Sequence, residues 1–202
     1  MGFSSRSFSM LRYRVNGEPE GSFWDSVDQG VKNGAFRPVE SDGDIVAMGW
    51  VSIDDFDAVE FPGADYHRAN YVAISLRVDS VRVPPRIVEL EMRRDAKKLL
   101  EQSGQKRLGS RQRRDLKDQV TERLRKQMFP NIQTYDMIWD TSERVLYFGS
   151  LAVKARERFQ DHFKRSFGLS LTPLIPYILA EDTLGEGKGA KALEDLAPSF
   201  FI

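Results

Sequence analysis

The chain has 202 residues, 41% of them apolar, with 30 Lys and Arg against 30 Asp and Glu, two His and no Cys. That length predicts one domain or two small ones with a real apolar core, and the lack of Cys excludes disulfide scaffolds, thiolate zinc sites and thiol nucleophiles. No apolar run approaches the roughly 18 residues of a membrane span, and the start of the chain, MGFSSRSFSMLRYRV, carries no signal-peptide pattern, so a soluble, cytoplasmic protein is expected.

A net charge of zero argues against a nucleic-acid partner only if the charges are evenly spread. They are not. Residues 1–80 hold seven basic and thirteen acidic side chains, residues 81–170 hold 21 and 12, and residues 171–202 hold two and five. Between Arg82 and Lys126 the count is fifteen to seven, a net of +8, so one segment is a candidate electrostatic footprint.

Phe8–Val15 alternates as a strand does, and Asn16-Gly17 with Pro19 ends it. Ser22 with Asp25 three residues on predicts a capped helix start. Phe23, Val27 and Val31 supply the apolar face, and Asn33-Gly34 the stop. Phe36–Val39 and Ile45–Ser52 read as strands split by Ser41-Asp42-Gly43-Asp44. The acidic stretch Asp54–Asp65 reads as a loop with an edge strand at Ala58–Phe61. Tyr71–Leu76, extended by Val78, Val81 and Val83, predicts a long strand or a hairpin kinked near Asp79-Ser80.

Pro85 suits a first helical turn, because its missing N–H would have no intrahelical partner there. From Pro85 to about Gln102 the residues Val88, Met92, Ala96 and Leu99/Leu100 form one apolar stripe. A second helix, about Arg111 to Met128 with Ser110 as N-cap, has Leu116, Val120, Leu124 and Met128 as its stripe. Two such helices joined by a short loop predict an antiparallel hairpin. Strands at Tyr135–Trp139 and Val145–Phe148 follow, joined at Thr141-Ser142-Glu143. A helix capped by Ser150 and lined by Ala155, Phe159, Phe163 and Phe167 then ends at Gly168, and an edge or bulged strand Leu169–Ile178 contains Pro173 and Pro176. This order predicts an α+β fold with small antiparallel or mixed sheets in two related halves, 1–83 and 131–180. The basic hairpin 84–130 is inserted between them, and a tail occupies 181–202.

The hairpin is the strongest functional feature. Arg82, Arg86, Arg93, Arg94, Lys97, Lys98, Lys106, Arg107, Arg111, Arg113, Arg114 and Lys117 are the candidate DNA contacts, neutralising a phosphate backbone with little base readout. The alternative is a solvated face laced with pairs such as Glu122–Lys126 at i,i+4 spacing. Phe129, beside Pro130, is a candidate to stack on or wedge between bases, or else a core or capping hydrophobe beside Leu124 and Met128. Asp54, Asp55, Asp57, Glu60 and Asp65 crowd one loop near His67 instead of converging from separate strands, so they are read as solvated and not as a metal-dependent nuclease site. His67 and His162 are read as structural or surface residues, and Gly185–Ala190 as a linker and not a phosphate loop. No cofactor and no metal are expected. A second function class is a protein–protein assembly module using the hairpin and the apolar end Phe200-Phe201-Ile202.

Three stretches in order carry a family resemblance: Met48-Gly49-Trp50-Val51; the Tyr71–Pro85 strand running into basic helices with Leu116-Lys117-Asp118-Gln119-Val120; and Met137-Ile138-Trp139-Asp140-Thr141, followed by the proline-containing Leu171–Ile178. Over about residues 8–180 the chain resembles the recombination-associated protein RdgC family. The resemblance implies a bacterial, cytoplasmic, nucleoid-associated and non-enzymatic homodimer. It would bind duplex and single-stranded DNA without sequence preference and limit the access of the RecA recombinase to DNA. Typical members form a ring-shaped dimer and continue well past the last matched strand. Only Glu181–Ile202 follows it here, so a short member without the usual ring-closing part is expected.

Overall fold

The protein's structure, a computed structural model, describes residues 9–19, 21–38, 46–184 and 193. Phe8, Val39, Ser41–Asp44, Ile45, Gly185–Ala190 and Phe200–Ile202 lie outside the described residues. The architecture is α+β, as expected. The strands are β1 (Leu11–Asn16), β2 (Val46–Ser52), β3 (His67–Arg68), β4 (Tyr71–Ser80), β5 (Asn131–Asp140), β6 (Val145–Phe148) and β7 (Ser170–Pro173). The helices are α1 (Phe23–Asn33), α2 (Pro85–Ser103), α3 (Ser110–Arg125), α4 (Val153–Phe167) and α5 (Pro176–Leu184). Strands from before and after the hairpin join one sheet, ordered β2-β4-β5-β6-β1-β7 with β3 on β4, where two small sheets were expected.

Among the described residues the chain forms two compact units. The first takes in residues 9–36, 49–77 and those from 134 onward. Its core follows from strand alternation: Tyr13 and Val15 of β1, Met137 and Trp139 of β5, and Leu146 and Phe148 of β6 are all buried. The antiparallel register sets Tyr13 and Trp139 opposite Leu146, and Met137 opposite Phe148. Onto this layer α4 lays Phe159, Phe163 and Phe167. Phe159 stacks on Phe148 at 4.0 Å, and Phe163 meets Trp139 edge-on at 5.6 Å. Burying each such ring contributes about 1.5–3 kcal/mol, and the ring geometry adds about 0.5–1.5 kcal/mol per pair. Gly168 ends α4 in the left-handed conformation (φ 69°), as predicted.

Strand β4 is one continuous strand, buried from Val72 to Asp79. Ser75 donates to Asp136 at 2.8 Å. Arg77 pairs with Asp57 at 2.5 Å, donates to the Phe56 carbonyl at 3.0 Å, and lies over the Phe36 ring at 4.5 Å. A cation in a central strand is tolerated because each of these partners replaces lost water.

Several expectations are corrected. The described part of the expected Phe36–Val39 strand, residues 36–38, is not a strand: Ala35 makes one isolated parallel bridge to Trp50, and the Phe36 N–H donates to the Trp50 carbonyl at 2.9 Å. The approach is so close that a Cβ on Gly49 would sit 2.3 Å from the Phe36 Cα, which explains the glycine in Met48-Gly49-Trp50. Ala58–Phe61 is loop, and the short edge strand forms instead at His67–Arg68. Ser22 is the N-cap of α1 without the expected side-chain bond. Ser150 supports α4 only by accepting the Ala152 N–H at 3.2 Å, and Ala152 is the cap. Leu169–Ile178 divides: Pro173 closes β7, an edge strand, and Pro176 opens α5.

The second unit takes in, among the described residues, 37–38, 46–48 and 78–133, and it holds the helical hairpin. Its core is small: Val88, Leu116, Val120 and Leu124, with Val83, Met92, Ala96 and Leu108 packed against it. Val88, near the start of α2, shares that cluster with Leu124, near the end of α3, so the helices run antiparallel. Leu99 is exposed, so the α2 stripe is narrower than predicted. Helix α3 stops at Arg125, leaving Met128 in the turn that follows.

Candidate nucleic-acid interface

The hairpin's apolar residues recur at three- and four-residue steps, so its charged residues fall by default on the outer faces. Arg86, Arg93 and Lys97 share the side of α2 opposite Val88. Arg111, Arg114 and Arg125 share the side of α3 opposite Val120, as the three-, four- and seven-residue spacings require. All twelve candidate cations, Arg82, Arg86, Arg93, Arg94, Lys97, Lys98, Lys106, Arg107, Arg111, Arg113, Arg114 and Lys117, are exposed.

Ion pairing separates them into two groups. Arg93 pairs with Glu89 at 2.5 Å, Arg94 with Glu91 at 2.6 Å, and Lys97 with Glu101 at 4.0 Å. Arg123, on α3, pairs with Asp95 of α2 at 2.8 Å, and Arg125 with Glu122 at 2.8 Å. In place of the expected Glu122–Lys126 pair, Glu122 pairs with Arg125, three residues on. The other ten of the fifteen cations between Arg82 and Lys126 have no carboxylate within 4.0 Å among the described residues. Exposed pairs of this kind are worth about 0–1 kcal/mol, so a phosphate can displace Glu89 or Glu91 at little cost.

The helix starts reinforce the positive field. A carboxylate in the first turn would offset the partial positive charge of a helix N-terminus, yet neither α2 nor α3 has one. Helix α3 opens on Ser110-Arg111-Gln112-Arg113, with Gly109 in place of the predicted Ser110 as N-cap. The Gln112 side chain accepts the Gly109 N–H at 2.9 Å. Two cations therefore sit where helix stability favours anions.

Near the connecting loop, residues of α2, the loop and α3 line a groove of about 400 Å³. Its floor is Met92, Ala96, Leu100, Leu108 and Leu116, and its rim carries Arg93, Lys106, Arg107 and Arg113 beside a single carboxylate, Glu89. The α2 stripe contains three of the floor residues. The groove itself had no sequence signal, because Leu108 comes from the loop and its position depends on where the chain turns.

Phe129 is 94% exposed, so it is neither a core nor a capping hydrophobe. The acidic loop does not converge: Asp54 bonds Arg68, Asp57 bonds Arg77, and no group of three His, Asp or Glu among the described residues is placed to hold a metal ion. His67 lies 3.2 Å from Asp28, which also accepts the Tyr66 hydroxyl at 2.6 Å. Burial and this bond to Asp28 raise the Tyr66 pKa. His162 is half-buried against Trp50, its Nε2–H donates to the Gly34 carbonyl at 3.0 Å, and desolvation lowers its pKa. No helix among the described residues is long and apolar enough to cross a membrane.

Comparison with curated proteins gives no match. The family model described as "Putative exonuclease, RdgC" matches residues 9–185, a span that takes in the whole sheet, the basic hairpin and α4. On that match the chain belongs to the RdgC family.

Proposed function

We propose that this chain is a non-enzymatic protein that binds duplex and single-stranded DNA with little regard to sequence. In this reading it acts as a nucleoid-associated homodimer that limits RecA access to DNA. The observation that supports it most is the set of exposed hairpin cations, ten of them without a carboxylate within 4.0 Å among the described residues. Such cations recognise phosphate, which every sequence presents alike. Phe129, exposed beside Pro130, offers a ring to unstacked bases. Family membership supports the link to recombination.

Counterion release sets the test. Each phosphate contact contributes about −0.9 to the slope of log affinity against log salt on duplex DNA. Titrating a labelled random duplex at two salt concentrations should show affinity falling steeply as salt rises. Absent binding, or binding indifferent to salt, would sink the proposal. Reversing the charge of Arg93, Arg94, Lys97 and Lys98 together should abolish DNA binding while light scattering reports an unchanged oligomer.

A further inference from the structure

The groove at the loop end of the hairpin has a chemistry that a phosphate backbone does not use. Its floor residues Met92, Leu100, Leu108 and Leu116 are aliphatic. They present no aromatic face on which a base stacks and no side-chain hydrogen-bonding group that reads one. A volume of about 400 Å³ with such a floor suits one or two large apolar side chains. On the rim, Lys106, Arg107 and Arg113 have no carboxylate within 4.0 Å among the described residues, and the one acid there, Glu89, is already bonded to Arg93.

We propose that this groove is a docking site for an acidic peptide segment carrying apolar anchors. Leu or Phe side chains of the segment fill the floor. Flanking Asp or Glu carboxylates accept hydrogen bonds from the guanidinium groups of Arg107 and Arg113 and from the Lys106 ammonium. Charge complementarity selects this occupant. A neutral peptide leaves the three rim cations as they are in water, and a DNA duplex brings no apolar group to the floor. The site goes beyond DNA binding and does not depend on it, although both ligands use the same rim.

The test is fluorescence anisotropy of a short labelled peptide with Phe and Leu anchors among aspartates, titrated with the full chain. One control peptide has the anchors replaced by Ser, another has the aspartates replaced by Asn, and a single-stranded oligonucleotide is measured in parallel. Both control peptides should bind at least about tenfold more weakly than the anchored acidic one, the loss expected for one unburied large side chain or one broken charged hydrogen bond. Leu100→Ser should weaken peptide binding about tenfold and leave the oligonucleotide unaffected, whereas Arg107→Glu should weaken both. Circular dichroism reports whether each variant keeps its helices. Should Leu100→Ser unfold, the comparison of the three peptides on the unaltered chain decides alone. Equal binding of the anchored and Ser peptides overturns the proposal, as does an equal loss of peptide and oligonucleotide binding on Leu100→Ser, which would make the groove a base pocket.

Discussion

In the sheet-containing unit, the cations that do pair find carboxylates in distant parts of the chain: Arg14 with Asp182, Arg77 with Asp57, Arg144 with Glu18. In the hairpin, most matched cations find their carboxylate within one helical turn, and ten of the fifteen find none among the described residues. Cores differ in the same sense. One is a layer of Tyr13, Trp50, Trp139, Phe148, Phe159 and Phe163, all essentially inaccessible; the other is four aliphatic residues. The first unit is tied together by ion pairs between distant segments around an aromatic core, and the second by pairs within a helix around a small aliphatic core.

The largest effect that tests this contrast is Phe163→Ala. The ring is fully buried against Trp139, Phe159 and Phe167, and its loss should cost about 3–5 kcal/mol in urea unfolding. A cost below about 1 kcal/mol would mean that the aromatic layer is not the core. Leu116→Ala should cost about 2 kcal/mol, the low end for such a truncation, because a four-residue core relaxes easily. Its signature is local: amide exchange should quicken across α2 and α3 while β5 and β6 keep their protection. Uniform loss of protection would show that the two units open together.

The smallest expected effect is the pH dependence from His162. Its folded pKa lies below the ordinary 6.5, so as pH falls through that value the unfolded chain takes up the proton first. Stability should be level above about pH 6.5 and decline below it, until the folded-state pKa is passed. His162→Gln should flatten that decline. Asp140 and Asp182 are also held low, chiefly by hydrogen bonds from Ser142 and Arg14, but they act below the ordinary carboxylate pKa and do not blur this window.

Much of the fold was legible because its signals are local. The α4 face of Ala155, Phe159, Phe163 and Phe167 repeats every four residues and stops at a glycine in the left-handed region, so both face and end were readable. Pro176 shows where such reading fails. A proline marks a first helical turn at Pro85, but near Pro173 the same residue type reads as an edge-strand irregularity, and only the end of β7 distinguishes the cases. Ser22 with Asp25 has the spacing of a capping box, yet α1 forms without that side-chain bond.

For the candidate interface, the sequence by itself determined the segregation of charge, the helical stripes and hence the outward placement of the basic side chains, because periodicity along one helix settles which residues share a face. Only the tertiary structure decided that strands on both sides of the hairpin join one sheet, that Arg123 is tied to Asp95 across the hairpin while Lys117 is not tied, and that Leu108 closes the floor of a groove. These outcomes depend on distances between residues far apart in the chain, set by where α2 ends, how the loop turns and how the two helices pack.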